Sequence, residues 1–199
     1  MGIFFIPISL YAAPDHTGQW DMGIKVGGIL PSNAGGGNTG FLGGEFAYGI
    51  NEWAAAGLST GWTDAKLSVD NGRGAKINGG KFGALPIFAD LIFRVPTPIH
   101  YDYLSPYAVL GLGTLITRNL TTQDLAGNNL ASHLEHSIAF KLGAGLDWFM
   151  NSNWIMNFEM NYVFSGVKVD IINNSTHAAV DSTDLDHFYI GVGAKYLFT

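Results

Sequence analysis

Large apolar residues recur at every second position through most of this 199-residue chain, and that spacing excludes helix as its main element. Trp20, Met22, Ile24 and Val26 alternate with Asp21, Gly23, Lys25 and Gly27. Leu42, Gly44, Phe46, Tyr48 and Ile50 alternate with Gly43, Glu45, Ala47 and Gly49. The same beat runs through 85–94, 107–113, 140–148, 154–165 and 187–198. A further strand is expected from Trp53 to about Val69, with its two faces unassigned. Period two belongs to strands whose two faces meet different surroundings. The expectation is eight strands, an even number.

Composition decides which surroundings those are. Charged residues make up 13% of the chain and hydrophobic ones 47%, with 27 glycines. A soluble domain carries about 25% charged residues. A net charge of −6 argues against nucleic acid, which needs clustered Lys and Arg. Without cysteine there is no disulfide framework, thiolate metal site or Cys nucleophile. No run reaches the roughly 18 apolar residues of a spanning helix. A membrane chain without such helices is left with the closed barrel, since open sheet edges cannot sit in lipid. Large residues would face lipid, and glycine and polar residues the lumen.

The connections agree. Those at 31–39, 70–80, 119–133 and 172–184 are long, those at Asn51-Glu52 and 151–153 short, and 96–105 intermediate. Long external loops alternating with short periplasmic turns put both termini on the periplasmic side. Trp20, Tyr48, Trp53, Tyr107, Trp148, Trp154, Tyr196 and Phe198 gather near the short-turn end. They are expected to form an aromatic girdle at the membrane interface. Gly2 to Ala13 is apolar, too short to span and interrupted by Pro7, so residues 1–14 read as a signal-peptide remnant and 15–199 as the barrel.

Three stretches resemble a known group. SPYAVLGLG (105–113) is similar to a Pro-Tyr strand of small outer-membrane barrels. GAGLDWFMNSNWIMNFEMNYVF (143–164) resembles their penultimate hairpin, and GAKYLF (193–198) their C-terminal assembly signal, here Gly193, Tyr196 and Phe198. Thr199 follows the aromatic residue that ends this signal. The group is the eight-stranded outer-membrane β-barrels, OmpA-like, opacity-type and OmpW-type. The resemblance implies an all-β, antiparallel up-and-down barrel in the bacterial outer membrane. It also implies contact with lipid and lipopolysaccharide, insertion by the barrel-assembly machinery, and a monomer. The OmpW-type members suggest a small hydrophobic ligand.

By parity, nine charges face the lumen: Asp21, Lys25, Glu45, Asp90, Arg94, Lys141, Asp147, Glu159 and Lys195. Five acids against four bases imply mutual pairing, because unpaired charge in a narrow lumen is costly. The structural reading is an ion-pair core; the functional one is an ion path or gate. His133, His136 and His177, and His187 near Asp184 and Asp186, fall at the loop rim. They lack the mutual geometry that defines a hydrolase or a metal site. No catalytic residue, metal or cofactor is expected. The functional expectation is a narrow or closed pore or carrier. An adhesin acting through its four external loops is the alternative, and a loop-rim hydrolase comes last.

Overall fold

The computed structural model describes residues 16–31, 36–37, 39–70, 76–95, 103–117, 121–123, 129–133, 137–165, 168–173, 178–184 and 186–198. Residues 1–15, which include the expected signal remnant, lie outside them. Eight long strands form the barrel: β1 (Trp20–Pro31), β2 (Thr39–Asn51), β3 (Ala54–Asp70), β4 (Lys76–Arg94), β5 (Leu104–Thr117), β6 (Ser137–Phe149), β7 (Trp154–Ser165) and β8 (His187–Phe198). The shortest has 12 residues, above the 9–11 or so that a tilted strand needs to cross a bilayer. Each strand pairs antiparallel with its sequence neighbours. β1 closes the cylinder on β8, from Trp20 opposite Phe198 to Pro31 opposite His187. Closure leaves no sheet edge in lipid, which is the condition for a sheet to exist there.

Two tight connections are built by asparagine. Asn51 Oδ1 accepts from the N–H groups of Trp53 and Ala54 at 3.0 and 2.7 Å. Asn151 Oδ1 accepts from those of Asn153 and Trp154 at 2.9 and 2.8 Å. A side chain that satisfies the backbone locally fixes the reversal.

Four long connections were expected as loops, and the structure differs. Lys76 onward already belongs to β4. Gly36–Gly37 pairs with β3. Thr121–Gln123, Asn129–His133, Lys168–Asn173 and Ala178–Asp184 form a separate four-stranded sheet. These stretches are short, three to seven residues, and carry too little apolar alternation to announce them.

Burial follows the pleat. On β2 the outward residues Leu42, Phe46, Tyr48 and Ile50 are exposed, and Gly43, Glu45, Ala47 and Gly49 are buried. β3, unassigned from sequence, points Leu58, Thr60 and Trp62 outward and Ala55, Gly61 and Thr63 inward. Seven of the eight aromatic residues expected in the girdle lie on the outer surface at the short-turn end, and one does not. Trp20 stacks on Phe46 at 4.6 Å and lies 4.6 Å from Tyr48; Trp154, Tyr196 and Phe198 meet edge-on. Trp53 and Trp148 are exposed on the same outer surface. Tyr107 is not in it: its odd position in β5 turns it into the lumen, where it is 4% exposed. A second outer cluster stands at the opposite end, where Phe140, Tyr162, Phe164 and Phe188 touch ring to ring. Two belts with an apolar band between them are the outer surface of a membrane barrel.

Candidate functional site: a plugged lumen

The lumen is layered. Phe149, Ile155 and Leu197 form an apolar floor at the short-turn end. Toward the other end Phe88, Ala139 and Val163 cluster, with Ile29, Leu115 and Tyr189 also buried. The nine charges occupy the middle of the lumen together with a third apolar cluster, Ala47, Ala55, Ile92, Tyr107 and Val109, and Asp21 lies level with Leu197 of the floor. The inner face is therefore more apolar than parity with glycine suggested, because aliphatic and aromatic residues sit at both ends of the charged zone and within it.

All nine expected charges are inside, with side chains at most 8% exposed, and each has an opposite partner. Lys25 Nζ lies 2.5 Å from Glu45 and 2.5 Å from Glu159. Lys195 Nζ bridges Glu45 and Asp147, each at 3.1 Å. Glu45 thus links the two lysines into one network across β1, β2, β6, β7 and β8. Lys141 pairs with Asp90 at 2.8 Å, and Ser59 Oγ, accepting from Lys141, donates to Asp90 at 2.6 Å. Arg94 meets Asp21 through a single 3.4 Å contact.

Ser59, Asn157 and Asn161, not singled out from sequence, complete these networks together with Tyr107, which was expected in the outer girdle. Tyr107 Oη donates to Glu159 at 2.7 Å and accepts from Asn157 Nδ2 at 2.7 Å. Lys195 Nζ stands 5.1 Å from the centre of its ring. Asn157 also donates to Asp147 at 2.9 Å, and Asn161 donates to Glu159. Parity alone placed Tyr107, Asn157 and Asn161 inward; position near the strand end misplaced Tyr107 among the outer aromatics.

Inward glycines make the room. A Cβ at Gly145 would strike the Tyr107 ring, one at Gly113 the Phe88 ring, and one at Gly43 or Gly61 the Phe41 ring. The rings of Tyr107, Phe88 and Phe41 reach over glycines of the next strand, and Phe41 also over Gly43 of its own strand.

The β3–β4 seam is interrupted twice, by a gap at Pro86 and by a register shift between Lys66 and Ser68. β3 and β4 pair up to Thr60 opposite Ile87 and resume at Thr63 opposite Ala84. Pro86 lies within the gap and has no N–H to give. Its carbonyl accepts from Thr60 Oγ1 at 2.9 Å. The Phe41 ring covers Gly61 on the inside, and the Trp62 indole covers Gly83 on the outside.

The rim histidines do not converge among the described residues. His133 lies opposite Asp170 in the separate sheet, and His187 opposite Val163 and Pro31 at the barrel mouth. The Asp184 backbone is paired with Lys168, and Asp186 accepts from the Ser165 N–H at 2.8 Å. His136 and His177 lie outside the described residues. No group of three metal-ligating side chains is found among the described residues.

These features define an integral β-barrel with an occupied interior. The chain belongs to the outer membrane protein beta-barrel domain family, whose model matches residues 3–198, and it is accordingly a protein of the bacterial outer membrane. Among solved structures it is similar to the outer membrane protein OprG from Pseudomonas aeruginosa, at 17% identity and TM-score 0.74, covering 94% of this chain and 99% of that one. It is similar to the outer membrane protein AlkL at 19% identity and TM-score 0.57, covering 100% and 97%. It also resembles the E. coli outer membrane protein W at 18% identity and TM-score 0.52, covering 92% and 99%. These likenesses concern the fold. A comparison with curated protein sequences returned no match.

Proposed function

We propose that this barrel is a closed, non-enzymatic carrier for small, predominantly apolar molecules rather than an open pore. The observation that carries the reading is the plug: nine charges, all paired and all buried, packed among apolar clusters along the lumen. An ion crossing it must shed water and break pairs, and both steps cost energy in a low-dielectric interior. An apolar solute needs neither step if it leaves sideways, and the seam at Pro86 is where the wall lacks its ladder bonds. The resemblance to OmpW-type barrels supplies the ligand class. The barrel would act as a monomer among lipid and lipopolysaccharide, inserted through Gly193, Tyr196 and Phe198.

The test is paired. Planar-bilayer conductance of the wild type should be small or silent, and should rise in Tyr107→Ala, which empties the space over Gly145. Naphthalene uptake by cells making the protein should exceed that of cells without it, and Pro86→Val, which restores an N–H to the seam, should lower it. A large, steady wild-type conductance would overturn the closed reading. Absence of both conductance and uptake would favour the second reading, surface interaction through the external connections, for which the ordered four-stranded sheet speaks.

Both termini are proposed to be periplasmic, on the side of the turns at Asn51 and Asn151. In whole cells a cysteine at Asn129 should react with an impermeant thiol reagent and one at Asn151 should not; the reverse pattern rejects the orientation.

A further inference from the structure

The residues just before β1 are built into the barrel. His16 precedes the first strand yet is 4% exposed. Its ring meets Phe149 at a tilt, centroids 5.3 Å apart, and Phe149 belongs to the apolar floor with Ile155 and Leu197. The segment is fastened to the end of β2. The Gly18 N–H donates to the Gly49 carbonyl at 2.8 Å, and the Gly49 N–H donates to the Gln19 carbonyl at 2.9 Å. The Gln19 N–H closes back onto the His16 carbonyl at 3.0 Å. Two glycines are required for two different reasons. Gly18 has φ +74°, a conformation that costs any residue with a Cβ. Gly49 must have no Cβ, because one would overlap the His16 carbonyl oxygen.

We propose that His16–Gln19 form a strap that seals the short-turn mouth of the barrel. The strap is distinct in place from the charge plug: it closes the floor from outside, through the His16 ring and the backbone bonds to Gly49. Residue 16 lies outside the strand ladders, so its side chain can be removed without breaking one. A solute in the lumen therefore meets a second barrier below the plug, and a cleavage that removed His16 would open that mouth.

The experiment uses Ile155→Cys, a floor position 1% exposed, in the full-length protein refolded in detergent, where both mouths meet reagent. A charged methanethiosulfonate reagent should label it slowly when the strap is intact. Labelling should rise about tenfold when His16→Gly or Gly49→Val is added, as local closure is lost. Heat-modifiable gel mobility reports whether each variant is folded. Should Gly49→Val fail to fold, His16→Gly carries the test, since residue 16 lies outside the strand ladders. Rapid labelling with the strap intact, or equally slow labelling in folded His16→Gly protein, would overturn the proposal.

Discussion

Lys25 and Arg94 are both cations buried inside the same barrel, and their surroundings differ sharply. Lys25 sits between two carboxylates at 2.5 Å each, one of which is also held by Tyr107 and Asn161. Arg94 has one contact with Asp21 at 3.4 Å, and its Nε and Nη1 find no hydrogen-bond partner among the described groups, nor does Asp21 Oδ1. Depth and charge are alike; satisfaction is not. A buried ion pair stabilises only when the remaining donors and acceptors are also met. The point charge of Lys fits between two carboxylates, whereas the planar fork of Arg needs several acceptors in its plane.

Two substitutions bear on that contrast. Lys25→Met should have the larger effect, leaving Glu45 and Glu159 short of a cation at a cost of about 3–5 kcal/mol in urea unfolding from lipid vesicles. The double change Asp21→Leu with Arg94→Met should have the smaller one, lying within about 1 kcal/mol of wild type or slightly above it, because apolar isosteres of a poorly satisfied pair are often neutral or better. A loss as large as that of Lys25→Met would erase the distinction between the two regions.

Much of this arrangement is legible in the sequence, because lipid outside and a narrow lumen inside write a two-residue period. That period assigns the faces of β1, β2 and β4 to β8, and sends all nine charges inward. It fails on β3, where Ala54, Ala55, Ala56 and Gly57 are small on both faces and leave no contrast. It misplaced Tyr107 only where nearness to the strand end was allowed to outweigh parity. Which charge meets which is not legible. Lys25 and Glu159 are brought together by the closure of β1 on β8, a long-range register that no local pattern encodes. The strap was invisible for a similar reason: His16 and Gly49 acquire meaning only once the chain ends of β1 and β2 are side by side.

The rings that lie over inward glycines have a consequence for inheritance. Tyr107 with Gly145, Phe88 with Gly113, and Phe41 with Gly61 are each specified at two places, a bulk on one strand and a void on the next. A larger residue at the void evicts the ring, and a smaller one at the ring leaves the void unfilled. Neither half can drift alone without loosening the interior. Descendants of this chain should keep such partners together or exchange them together, so that bulk trades strands while the total filling of the barrel stays constant.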